Sequence, residues 1–166
     1  MGSLKIASYN CKFFKGMLTH NYCKDLVNQV DFLLLQEHWL YEQNFHKFKE
    51  IDKSLDICIE GKSAMNPEVI RSGRPFGGCA ILWKSSIGYT VSSVKTISSR
   101  LNCLNISCKD EYNFSLFNIY MPCDSRSEGS NFSIFQDVLA EITILSQNNK
   151  SDFIIIAGDF NVDFFL

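Results

Sequence analysis

The stretch Asp31-Phe32-Leu33-Leu34-Leu35-Gln36-Glu37 decides the fold, because its large apolar residues run without alternation and stop on a polar pair. A strand reads this way when both of its faces are covered, and the run is too short for a buried helix. Upstream, Leu4-Lys5-Ile6-Ala7-Ser8-Tyr9-Asn10 alternates apolar with polar positions and predicts a first strand, stopped by polar Asn10 and the stretch 12–16. Between the two, residues 20–30 place Tyr22, Leu26, Val27 and Val30 at helical spacing. Strand, helix and buried strand within about 30 residues predict a crossover unit.

Downstream, residues 41–51 read as a weak amphipathic helix, 55–59 as a short strand and 61–76 as a polar, mobile loop with two Pro and two Gly. Residues 78–83, 89–97, 101–108 and 114–120 then follow with turn residues between them and predict a run of antiparallel strands. Residues 132–145 repeat apolar positions at helical period through Phe132, Phe135, Val138, Leu139, Ile142 and Leu145. Asp152-Phe153-Ile154-Ile155-Ile156-Ala157-Gly158 predicts a second fully buried strand. Buried strands, a meander and two or three helices fit a layered α/β sandwich better than a parallel doubly wound sheet.

At 166 residues, 46% hydrophobic and 20% charged, the chain is long enough for one well-filled core, and long disorder is excluded. No apolar run approaches the roughly 18 residues of a membrane span, and the start lacks a signal-peptide pattern, so an intracellular, unsecreted protein is expected. The Asn-x-Ser matches at Asn105, Asn113, Asn131 and Asn149 are discounted on that ground. Seven cysteines (Cys11, Cys23, Cys58, Cys79, Cys103, Cys108 and Cys123) are an odd set without a C-x-x-C pair. They read as reduced thiols packed like small hydrophobes, and neither structural zinc nor a disulfide framework is expected. Lys and Arg total 16 against 18 Asp and Glu, which argues against a general nucleic-acid coat protein. Any phosphate partner would be met locally.

Four apolar strands end on groups able to hold a cation or a phosphate: Asn10, Glu37, Tyr120, and Asp159 with Asn161. Each has an ordinary reading alone. Asn10 and the Gly158 to Asn161 turn are turn formers, Glu37 reaches solvent, and Tyr120 is a half-buried aromatic with a wet hydroxyl. Together they would require the same coincidence four times, whereas strand ends at one edge of a layered fold share a crevice.

These residues carry a resemblance. Ser8-Tyr9-Asn10-Cys11, Leu35-Gln36-Glu37-His38-Trp39, Gly77-Gly78-Cys79-Ala80-Ile81-Leu82, Asn118-Ile119-Tyr120-Met121-Pro122 and Gly158-Asp159-Phe160-Asn161 resemble, in order, the successive signatures of the endonuclease/exonuclease/phosphatase family. The combination of Leu34 to Trp39 with Gly73-Arg74-Pro75-Phe76-Gly77-Gly78 is most similar to the endonuclease domains of animal non-LTR retrotransposons. The resemblance implies a four-layer αββα sandwich (α+β in class) and a magnesium-dependent phosphodiesterase, with Mn2+ as the alternate ion. By position it makes Glu37 the metal-binding carboxylate and Asn10 a metal or phosphate contact. Asp159 would prepare the attacking water, Asn161 would hold a phosphate oxygen, and Tyr120 would face the scissile phosphate. DNA is the implied partner, with no membrane and no obligate protein partner, and a nuclear location is compatible with it.

Two departures accompany it. The family closes with another Asp segment and a Ser-Asp-His, whereas the histidines here are His20, His38 and His46, all early. His38 adjoins Glu37 but faces the opposite way along an extended chain, so it is expected to be non-catalytic. Lys12 also stands where repair-type members carry an acidic residue. The expectation is one domain over residues 1–166, incomplete at its C-terminus, with the apolar Phe164-Phe165-Leu166 end in need of cover and with impaired activity. The alternatives are a phosphatase on a lipid or nucleotide phosphoester, or a catalytically dead remnant serving as an interaction module. A basic surface around Arg71, Arg74, Lys84, Arg100 and Arg126 would favour DNA over the other two.

Overall fold

In the computed structural model, which describes residues 3–19, 21–65, 76–109, 111–123 and 130–162, two four-stranded sheets face each other. The first has the order β1 (Ile6–Asn10), β2 (Phe32–Gln36), β4 (Cys79–Lys84), β3 (Ile57–Lys62). The second has the order β5 (Tyr89–Val94), β6 (Leu101–Cys108), β7 (Tyr112–Tyr120), β8 (Phe153–Asp159). Two crossovers build them alike. α1 (Phe14–Leu18) and α2 (Asn21–Gln29) carry the chain from β1 to the parallel β2, and α3 (Ser130–Asn148) carries it from β7 to the parallel β8.

Three apolar layers hold four layers of structure together. Leu33, Leu35, Ala80 and Leu82 point outward to Phe14, Met17, Val27 and Phe48 of the helical segments. Phe32, Leu34 and Ile81 point inward to Leu104, Ile106, Phe114 and Leu116. Leu101, Cys103, Phe117 and Ile119 turn away from the first sheet to meet Val138 and Ile142 of α3. That is the αββα sandwich, and β2, buried at every position, is its spine. Alternate burial of adjacent residues on both faces of β2 is what its unbroken apolar run encodes.

Four expectations change. Residues 78–83 do not join the meander: β4 pairs antiparallel with β2 and β3, and only β5, β6 and β7 form the antiparallel run. The stretch 12–16, read as the stop of the first strand, contains the start of α1, whose five residues are too few to show a period and which buries Phe14 and Met17. Residues Glu42–Glu50 form a 3₁₀ segment rather than an α-helix. Phe45 and Phe48 stand three apart and both meet the His38 ring edge-on, at 5.5 and 5.4 Å, a match to the threefold repeat of that helix. Finally, β8 is not fully buried. Phe153 is 48% exposed and Ile154 and Ile156 are each 43% exposed, because α3 lies over β6 and β7 and β8 pairs with β7 on one side. An apolar run shows that both faces tolerate burial, not that a cover is present.

Arg71, Arg74, Arg126, His20, most of the 61–76 loop and the 164–166 end lie outside the described residues. All seven cysteines are free thiols, and Cys11, Cys23, Cys79 and Cys103 are buried whereas Cys123 is exposed. No described helix is long and apolar enough to cross a membrane.

His38 is wholly buried and structural. Its Nδ1 accepts from the Leu40 N–H at 2.9 Å and its Nε2 lies 3.0 Å from the Lys62 carbonyl, which fixes Nε2 as the protonated nitrogen. Gly78 makes room for it: a Cβ there would stand 2.4 Å from the ring, and the φ of +85° suits glycine. Burial pushes the imidazole pKa down to about 4. The unfolded chain, titrating near 6.5, takes up a proton that the folded chain refuses. Stability from this site is therefore full above about pH 6.5 and falls as pH drops from there to about 4, by roughly 3 kcal/mol. Melting temperature followed over that window is expected to fall more steeply in the parent than in His38→Gln. Parallel curves would count against the assignment.

Candidate active site

The polar strand ends meet at one edge of the sandwich. Asn10 pairs with Gln36 in the first sheet, immediately before Glu37, and Tyr120 pairs with Asp159 in the second. The side chain of Asn10 joins the sheets: its Nδ2 donates to Glu37 Oε1 at 2.9 Å and to Asp159 Oδ2 at 2.7 Å. Carboxylates only accept, so the amide orientation is settled, and its Oδ1 accepts the Lys12 N–H at 3.1 Å. Both hydrogens of one NH2 group thus hold two carboxylates close together. In this arrangement Asn10 presents its nitrogen, not its oxygen, to the site.

Asp159 is tied at its other oxygen, Oδ1, which accepts the Asn161 N–H at 3.1 Å in a turn that gives Asn161 a φ of +48°. The Asn161 amide nitrogen donates to the Met121 carbonyl at 2.7 Å, so its side chain is anchored beside β7. Burial, followed by the nearby Glu37 charge and a hydrogen bond to that carboxylate, pushes the Tyr120 phenol up to about 12. At neutral pH the hydroxyl is therefore a donor. All five sequence-predicted residues gather here.

The backbone around them is unusual. Among the described residues, the non-glycine positions with positive φ are Lys12, Phe13, Glu37, Trp39 and Asn161, all in the turns that follow β1, β2 and β8. Such conformations are uncommon for residues with a Cβ and persist where surrounding contacts enforce them. Here Phe13 N donates to the Glu37 carbonyl at 2.9 Å and Trp39 N to the Gly77 carbonyl at 3.0 Å, locking the turns to one another.

Arg100, one of five residues whose basic surface would favour DNA, is seated on a site residue. Its guanidinium carbon stands 4.9 Å from the centre of the Tyr120 ring, and Nη1 donates to the Tyr120 carbonyl at 3.1 Å. The segment leading to it is clamped between the first sheet and α3: Lys62 Nζ donates to the Thr96 and Ser98 carbonyls, and the Glu141 carboxylate of α3 accepts the Ile97 and Ser98 N–H groups. Gln36 and Asn118 also escaped the sequence reading, although a polar residue closing the run FLLLQ and another inside SLFNIY were the visible signals.

Among the described residues no cluster of three or more His, Cys, Asp or Glu is present. The two carboxylates Glu37 and Asp159 make a hard-oxygen pair suited to Mg2+, which takes one or two carboxylates and leaves other positions to water and phosphate.

The sequence matches the model of the family described as Endonuclease/Exonuclease/phosphatase family over residues 7–165. No curated protein shows a significant match. The fold resembles that of the AP endonuclease LMAP from Leishmania major, with a TM-score of 0.66 at 18% identity, over 96% of this chain and 55% of that one. It also resembles a variant of the 3′ phosphatase NExo from Neisseria, solved bound to a product DNA hairpin, with a TM-score of 0.62 at 16% identity, over 96% of this chain and 58% of that one. The human Nocturnin catalytic domain with bound sulfate gives a TM-score of 0.58 at 18% identity, over 96% of this chain and 64% of that one. The chain therefore spans somewhat over half the length of these structures.

Proposed function

Since the chain belongs to the endonuclease/exonuclease/phosphatase family, we propose that it is a metal-dependent phosphodiesterase unit whose substrate is DNA. The observation that carries this reading is the Asn10 amide held between Glu37 and Asp159, which brings the two carboxylates to one point. Glu37 would hold Mg2+, and Asp159 stands beside it for the attacking water. The ion, when bound, supplies positive charge to a phosphoryl oxygen. Asp159, held at both oxygens, accepts a proton from the attacking water and is kept from rotating away while it does so. The Tyr120 hydroxyl donates toward the phosphate, and Arg100 places a permanent positive charge against its ring. Asn161 lines the same turn; one hydrogen of its amide goes to the Met121 carbonyl, and the other would meet a phosphate oxygen.

DNA is favoured over a small phosphoester by the similarity of residues 34–39 and 73–78 to retrotransposon endonuclease domains. The length of the compared structures also supports a second part of the proposal, that this unit works within a longer domain. The test is nicking of supercoiled plasmid by the purified protein in Mg2+, with chelated controls. Nicking that EDTA abolishes supports the reading. Release of inorganic phosphate from a nucleotide or lipid phosphoester without nicking would replace it with the phosphatase reading, and turnover of neither substrate would leave a remnant that keeps only the fold.

A further inference from the structure

The layer between the two sheets changes character along its length. Away from the site it is filled by Phe32, Leu34, Leu104, Phe114 and Leu116. Directly beneath the site it turns polar. Gln36 is 1% exposed and Asn118 is fully buried. Gln36 Nε2 donates to Asn118 Oδ1 at 2.7 Å and to Ser8 Oγ at 3.1 Å. Asn118 Nδ2 donates to the Leu35 carbonyl at 3.0 Å and the Ala80 carbonyl at 2.9 Å. One amide of β7 is thus bonded to both β2 and β4, across the gap between the sheets.

Apolar packing of two sheets is non-directional and fixes their relative placement weakly, whereas hydrogen bonds in a dry interior are directional and costly to leave unmade. These bonds sit where placement matters. Gln36 immediately precedes Glu37, and Asn118 is paired in register with Ala157, so Tyr120 and Asp159 each follow two residues later on their strands. The contact of Asn10 with Asp159 at 2.7 Å exists only while the sheets hold this alignment.

We propose that Gln36 and Asn118 are positioning residues, whose buried amide pair aligns the two sheets so that Asn10 and Glu37 of one meet Tyr120 and Asp159 of the other. The kinetic consequence rests on the phosphodiesterase reading; the alignment itself does not.

The experiment separates the two. Gln36→Leu/Asn118→Leu replaces the amide pair with apolar groups of similar size, and also withdraws the donors to Ser8 Oγ and to the Leu35 and Ala80 carbonyls. Gln36→Met is the milder companion, since Asn118 keeps its two carbonyl bonds. In 15N-labelled, metal-free protein the side-chain amide resonances of Asn10 report its grip on both carboxylates. Those resonances are expected to move toward solvent-exposed values in both variants, with Gln36→Met still folded at a melting temperature lowered by loss of the donor to Asn118 Oδ1. With Mg2+ and plasmid, kcat is expected to fall about 10- to 100-fold with KM changed little, the size typical of lost supporting contacts behind a metal site. Resonances that stay in place overturn the proposal, and so does unaltered kcat in an active protein whose resonances have moved. A parent that never nicks removes the nuclease reading, and the amide resonances then decide the alignment alone.

Discussion

Asp159→Asn is expected to lower magnesium-dependent nicking by about 10²- to 10⁴-fold, the contribution of a positioned general base, while leaving the melting temperature close to that of the parent. The side chains are the same size, so the turn that carries them can persist. What changes is acceptor chemistry. Asp159 accepts from the Asn10 amide at one oxygen and from the Asn161 N–H at the other. An asparagine can keep the bond from Asn161 through its oxygen, but its NH2 would then face the Asn10 NH2, donor against donor, and it cannot take a proton from water. Glu37→Gln should fall in the same range for a different reason, loss of the anionic metal ligand. Measuring nicking against Mg2+ concentration distinguishes them: the Glu37 variant should regain activity as the ion is raised, the Asp159 variant should not. Nicking unchanged in both would sink the site.

Gly158→Ala should be among the most destabilising single substitutions in the chain, costing about 3 kcal/mol or more. Gly158 has a φ of +142°, and a Cβ built there would stand 2.0 Å from the Ile119 carbonyl oxygen and 2.7 Å from the Ile119 nitrogen. Those are backbone atoms of the paired strand and cannot swing aside as a side chain could. Relief would come only by parting β7 from β8 at the step where Ile119 pairs with Gly158, next to the pairing of Tyr120 with Asp159. Denaturant unfolding followed by circular dichroism measures the loss. A midpoint within experimental scatter of the parent would mean that the β7–β8 ladder yields there at little cost.

Much of this was legible in the chain, for reasons that particular residues make plain. The unbroken run at Phe32 to Leu35 reported burial on both faces because β2 lies in the middle of one sheet with a layer on each side. The identical signal at Phe153 to Ile156 misled, since β8 is an outer strand of its sheet and residue type carries no record of how many neighbours a strand has. Residues 78–83 carried the right strand signal but not its sheet, because pairing of β4 with β2 is a long-range choice that local turns do not encode. At the site, strand ends marked Asn10, Glu37, Tyr120, Asp159 and Asn161. Their supports stayed hidden. Gln36 and Asn118 face each other across 82 positions, and Arg100 reaches Tyr120 from the turn before the neighbouring strand β6.

The outward apolar side of β8 bears on how this protein behaves in a tube. Phe153 to Ala157 is uncharged, without proline and strongly disposed to extended structure, and the chain's net charge of −2 provides little mutual repulsion. An outer strand of that composition is a template on which a like segment of another molecule can add. Solubility of the isolated unit is then governed by this one strand and by concentration more than by its overall composition. Ile154→Lys or Ile156→Lys, at positions turned to solvent on the side away from the inter-sheet layer, would install a gatekeeper charge without touching the chemistry at Asp159.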